Sequence, residues 1–284
     1  VSGYSAFAFV GYASIAYTVG INIWTLLAVP CFLAMSVGAF VWAPRWARLK
    51  VLTPVSYLEQ RYNRTVHQVI AWSGIAVKFV DEGTKLYSLG ILVAACTQLP
   101  LQVTIVGCGV IAVLYILVGG LWAEVVTDFV QFLVQFAITI TLAVVALGAV
   151  GGWHGLWAQM PAEGRSFFSK EYDLTYIGVF LVVITLSYNG GSWGLAQRFY
   201  SVGAAADARK AALLSALLYL LYPVAIYIPV WAAPSLLGQV ARPEETYALI
   251  AQRLLPAIAP GLLGLFIAGM VAATMSMVDP DLNA

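Results

Sequence analysis

The chain has 284 residues, of which 62% are hydrophobic and only 10% charged, with a formal net charge of +1. A soluble domain carries about 25% charged residues, so these few charges cannot cover a water-exposed surface, and the absence of a basic run excludes a nucleic-acid face. What remains is an integral, multi-pass, all-α membrane protein in contact with a lipid bilayer.

A membrane-crossing helix needs about 20 mostly apolar residues, and such runs fall at about 1–18, 22–43, 67–97, 102–120, 125–150, 175–198, 210–234 and 257–279. These are spans 1 to 8 of a single transmembrane domain, 1–284. Span 1 begins inside an apolar run with no initiator Met or charged leader, and the far end stops at Asp281-Leu-Asn-Ala284, so the chain reads as truncated at both ends. The opening Ser2-Gly-Tyr-Ser-Ala-Phe-Ala-Phe-Val-Gly11 is a poor helix. Between spans 2 and 3, Thr53-Pro54 has the form of an N-cap followed by a favoured first helical position.

Span 3 carries Lys78, Asp81, Glu82 and Lys85. Spacing pairs Lys78 with Glu82 and Asp81 with Lys85, each at i+4. The set is either a polar lining along a path or a self-neutralised ladder that joins span 3 to a neighbour. Asp128 opens span 5 with no basic residue within two turns and Glu124 one turn before it. It is either hydrated at the interface or in need of a cation. Span 6 contains Ser187-Tyr-Asn-Gly-Gly-Ser-Trp-Gly194, whose glycines and serines invite an interruption. Irregular backbone at membrane depth is tolerated only where it faces protein or a water-filled cavity. Two such breaks, in spans 1 and 6, open successive sets of five helices. That is the pattern of inverted repeats around a transport site, although glycine also serves simple close packing. Glu244–Leu255 has the rhythm of a short helix on the membrane surface.

Arg45, Arg48, Lys50, Arg61 and Arg64 crowd the joint between spans 2 and 3, and Arg198, Arg209 and Lys210 that between spans 6 and 7. The positive-inside rule puts both joints in the cytoplasm. Cys31, Cys96 and Cys108 form no CxxC pair, and His67 and His154 have no metal-ligand spacing, so no metal other than an alkali cation is expected. With no nucleophile elbow or phosphate loop, an enzyme is not expected.

Gly119-Gly-Leu-Trp-Ala-Glu-Val-Val-Thr-Asp-Phe-Val-Gln131 resembles the G-G-L-x-A-x-x-x-T-D-x-x-Q signature of the sodium/solute symporter family, which includes sodium/galactose and sodium/proline carriers. Ser5–Gly11, Thr53–Asn63, Gln197-Arg198 and Met275–Asn283 are similar to further family segments in the same order. The resemblance implies a five-plus-five inverted-repeat fold of the leucine-transporter type, and cation-coupled symport of a small polar organic solute by alternating access. It implies the plasma (inner) membrane as the location and no organic cofactor. Domains of this family also occur as sensor modules fused to signalling domains, which is the alternative function.

By motif, the resemblance carries the sodium ligands to the carbonyls of Val1 and Tyr4 in span 1, and to the Ala273 carbonyl and Ser276 hydroxyl in span 8. Asp128 matches a position associated with a second sodium site or the ion's exit. The usual hydroxyl after Ser276 is replaced by Met277, a poor ligand for a hard cation, which weakens the case for Na+ as the coupling ion. For the solute, the resemblance points to Phe7, Ala8, Thr185, Tyr188 and Ser192.

Overall fold

The computed structural model describes residues 4–49, 51, 53–191 and 193–283, without the side chains of 54, 116–126, 190–191, 193–195, 197 and 279–283. All regular structure among these residues is helical: α1 (Ala6–Val19), α2 (Val29–Val41), α3 (Ala43–Leu49), α4 (Pro54–Arg61), α5 (Arg64–Thr97), α6 (Leu101–Ala149), α7 (Gly152–Gln159), α8 (Leu174–Leu186), α9 (Trp193–Tyr200), α10 (Ala205–Leu237), α11 (Thr246–Leu254) and α12 (Leu262–Asn283). Two π-turns interrupt the series, Trp24–Ala28 before α2 and Ser187–Gly191 after α8.

By length and composition, Trp24–Val41, Thr127–Ala149 and Ala205–Leu237 are sufficient to cross a membrane. The other expected spans fall short for identifiable reasons. The non-helical residues before Ala6 and the π-turn after Leu186 leave α1 and α8 at 14 and 13 residues. The four charges of span 3 keep α5 from sufficing alone, and it suffices only together with Leu101–Tyr115, from which it is bent by 120°. Spans 4 and 5, expected as separate helices, lie in the one helix α6. The sequence between them holds no proline, and Gly119-Gly120 alone does not end a helix.

The helices fall into two compact units. The first comprises 1–23, 83–169 and 223–279. In it, Gln98 takes a left-handed φ of 62° and its N–H caps Ala94 O at 2.8 Å. Pro100 then begins α6, so the chain turns back within three residues. A Cβ on Gly90 would run into Ile105, and that missing side chain lets α6 lie against α5, where Thr104 Oγ1 donates to Gly90 O at 2.9 Å. Gln252 Nε2 on α11 donates to Ala95 O (2.7 Å) and Cys96 O (2.9 Å), two of the carbonyls that the end of α5 leaves without helical partners.

The core of this unit is aromatic. Phe9, Tyr247 and Phe266 are fully buried, with ring centroids 5.0 and 5.7 Å apart in series. The short helix expected over Glu244–Leu255 is present as α11, which buries Tyr247, Ala248, Ile250 and Ala251 against α1 and α6, because its apolar positions recur on one face and find a core.

The second unit comprises 24–82, 170–222 and 280–284. There α2 packs along α8, and α3 along α9. Thr53 and Ser56 form the reciprocal capping box that starts α4, where the Thr-Pro pair predicted an N-cap. Trp24 Nε1 donates to Leu220 O at 3.0 Å beside the first π-turn. Of the span 3 charges, Lys78 lies 3.7 Å from Asp81 at i+3, a neighbour on the same face of the helix.

Candidate cation and solute sites

The start of α1 is built against α12 inside the first unit. Residues 4 and 5 are not helical, and the first N–H groups of α1 have no i−4 carbonyl to meet. Ser5, at the N-cap, accepts from Phe7 N–H at 3.3 Å. Ala6 N–H goes instead to Thr274 Oγ1 on α12, at 3.0 Å, and the same hydroxyl donates to Met270 O at 3.0 Å. Tyr4, Ser5 and Thr274 are all buried, so water cannot replace these bonds.

Two of the expected ligands lie side by side here. Ser276 Oγ donates to Ala273 O at 3.1 Å, and both residues are fully buried. Neighbouring oxygens around a cation with bonds of about 2.4 Å lie roughly 3.1–3.5 Å apart. The donor set is hard, uncharged oxygen, which suits an alkali ion. Met277 is half-buried next in sequence and offers only sulfur. Val1 lies outside the described residues.

Asp128 is 6% exposed, so the reading of a carboxylate merely hydrated at the interface does not hold. Its level along the unit follows from the packing. α1 runs from Thr274 at its start to Gly20 at its end, which touches Gly164 just beyond α6 and α7. α12 runs the opposite way, since Phe266 meets Tyr247 beside Phe9 whereas Thr274 meets Ala6. α12 and the end of α6 are therefore antiparallel, and they approach where Gly269 faces Gln135. Seven residues from that contact along each helix, about 10.5 Å, lie Ser276 and Asp128. Gln135 and Thr139 continue the buried polar face of α6.

Of the residues expected to touch solute, Phe7 and Ala8 belong to the first unit. The Phe7 ring covers Gly11 and meets Tyr12 edge-on at 5.1 Å, whereas Ala8 is 4% exposed and offers only a methyl. Thr185 and Tyr188 belong to the second. Thr185 Oγ1 donates to Leu181 O at 2.7 Å, and the Tyr188 ring lies 5.6 Å from that of Tyr219. Ser192 lies outside the described residues.

Sequence reasoning missed Thr274 and Asn189. Asn189 Nδ2 donates to Ala34 O at 3.1 Å and to Thr185 O at 2.8 Å, and its own carbonyl accepts from Trp46 Nε1 at 2.8 Å. The signal for Asn189 was its place among glycines in span 6, and that for Thr274 its place beside Ala273. Among the described residues no group of three or more His, Cys, Asp or Glu could hold a metal ion. Outside the spanning segments, the hydrogen bond from Arg242 to Glu245 (2.7 Å) raises the guanidinium further above its usual range, just before α11.

The model of the family described as "Sodium:solute symporter family" matches residues 1–284. The chain is 26% identical over 303 residues to a sodium-dependent multivitamin transporter of Oryctolagus cuniculus, covering 99% of this chain and 46% of that protein. It is 26% identical over 309 residues to a sodium/glucose cotransporter of Vibrio parahaemolyticus (99% and 56%). The sodium/iodide cotransporter of Homo sapiens is 25% identical over 296 residues (99% and 46%). The chain thus spans about half the length of the curated relatives it matches. A solved Na+-coupled sialic acid symporter in a substrate-bound, outward-open state superposes with a TM-score of 0.81 at 19% identity, over 99% of this chain and 62% of that one. That likeness shows the fold, the all-α leucine-transporter type. The relatives are sodium-coupled transporters by name and not enzymes. With apolar helices throughout and a family match along its whole length, the chain is an integral membrane protein and belongs to the sodium:solute symporter family.

Proposed function

We propose that the chain is a single transporter domain that couples sodium entry to the uptake of a small polar organic solute by alternating access, in the plasma membrane with the joint between α3 and α5 in the cytoplasm. The cation is held by the carbonyls of Val1, Tyr4 and Ala273 and the hydroxyl of Ser276, while Asp128 draws it in or releases it. One observation carries this reading: the buried Ser276 Oγ and Ala273 O, 3.1 Å apart, lie on the helix that also anchors the start of α1 through Thr274. The cation then binds where two helices must be together, and its affinity for that arrangement over the separated one is the coupling free energy. Phe7, Ala8, Thr185, Tyr188 and Ser192 contact the solute.

The relatives named above move vitamins, glucose and iodide, which leaves the solute open within a class of small polar molecules. The test is uptake by the full chain in proteoliposomes, with and without an inward sodium gradient. Glucose, lactate, iodide and sialic acid serve as probes. Sodium-driven accumulation of one of them is expected. Uptake of each at the same rate in potassium as in sodium would refute sodium coupling.

A further inference from the structure

The π-turn Ser187–Gly191 sits in a specific cradle within the second unit. In an unbroken α-helix, Thr185 O would accept from the backbone N–H four residues on, at position 189. Here the Asn189 side chain reaches that carbonyl at 2.8 Å, and its second N–H crosses to Ala34 O on α2 at 3.1 Å. The Asn189 carbonyl is held in turn by Trp46 Nε1 of α3. Asn189 is 1% exposed. The amide fits only because position 38 of α2 has no side chain: a Cβ built there would collide with Asn189 Oδ1. The preceding residue, Tyr188, sets its ring 5.6 Å from that of Tyr219.

Single π-turns recur at functional sites because they shift the facing of the residues around them by part of a turn. They need an outside partner for the backbone groups they release, above all at membrane depth. We propose that Asn189 is a positioning residue of the solute site: seated in the space that Gly38 leaves, its amide fixes the register of the π-turn and so the direction of the Tyr188 ring. This rests on the reading that Tyr188 contacts the solute.

The full chain is purified as wild type, Asn189→Asp, Asn189→Ala, Gly38→Ala and Gly38→Ala/Asn189→Ala. Backbone hydrogen exchange is followed by mass spectrometry, and sodium-driven uptake with the same four probes. Asn189→Asp keeps the shape and loses both N–H donors, so exchange at 187–191 should quicken roughly 5- to 10-fold while peptides of α1 and α11 stay unchanged. Gly38→Ala should reproduce this by displacing the amide. The double variant should be no worse than either single one, since the two changes act on one contact. In uptake, KM should rise several-fold with the maximal rate per mole of protein nearly kept, as expected for a lost positioning contact in binding. Unchanged exchange in Asn189→Asp, or additive effects in the double variant, would overturn the clamp. Quickened exchange with an unaltered KM would overturn its link to the solute. If wild-type protein shows no sodium-driven uptake, the carrier reading fails and this proposal with it, although the exchange result would still locate the clamp.

Discussion

Replacing Thr274 by valine removes one hydroxyl and keeps the shape of the side chain. In the native protein that hydroxyl receives Ala6 N–H at 3.0 Å and is 1% exposed. The variant leaves the N–H buried with nothing to meet, which costs about 1–3 kcal/mol in the state where α1 rests on α12. The second bond, to Met270 O, is a smaller loss, because that carbonyl is an interior helix position with its own backbone partner. Since 1.36 kcal/mol is tenfold, the docked state loses a factor of about 5 to 150. If sodium binds only that state, its apparent affinity falls by the share of the population lost. The full factor applies because, if cation binding and docking are one event, wild-type protein is mostly undocked without sodium. The assay is sodium-dependent thermal stabilisation of the purified full chain, which needs no solute and reads the midpoint of sodium titration. Thr274→Val should move that midpoint upward about fivefold or more, and Thr274→Ser should leave it near wild type. A valine variant with the wild-type midpoint would refute the claim that docking of α1 and cation binding are one event.

Three further outcomes are expected. Asp128→Asn should weaken cation dependence in the same titration and in uptake; an unaltered sodium curve would remove Asp128 from the mechanism. Met277→Ser supplies an oxygen where the chain has sulfur and should raise apparent sodium affinity, and no change would mean the ion is not bound beside Ser276. Gln252→Leu removes the donor to Cys96 O and one of the two donors to Ala95 O, the other being Gln98 Nε2 at 3.0 Å. It should lower stability by about 1–3 kcal/mol, visible as a reduced melting temperature with an unshifted sodium midpoint; an unchanged melting temperature would count against that cap.

The N-cap at Thr53 was legible because it is made of neighbours in sequence, although the capping box that Ser56 completes was not predicted. The departure from α geometry after Leu186 was legible too, because glycines and serines clustered within an apolar run weaken a regular helix at that point. Its form, a π-turn with the helix resuming at Trp193, was not legible, because it depends on a hydrogen bond from the Asn189 amide to Ala34 O, 155 residues away. Thr274 escaped notice for the same reason: its partner, Ala6, is 268 residues distant. The short helix over Glu244–Leu255 was legible, but not the protein core that it packs on, because periodicity reports an apolar face and not what covers it.

The far end of α1 is held much more firmly than its beginning. Gly20, with a φ of 65°, touches the backbone of Gly164, its carbonyl accepts from Trp231, and Ile21 N–H bonds to Gly164 O. Asn22 fastens the same stretch to Phe167 and Ser169, while Tyr17 receives Val240 N–H. By contrast, the first turn is secured by the hydroxyls of Ser5 and Thr274. The rod therefore has its fulcrum at the glycine, and any swing is amplified at the opposite tip. Over 14 residues, about 21 Å, a tilt of roughly 10° would carry that tip about 3.6 Å, enough to part it from α12 and open the proposed cation site without unwinding a single turn.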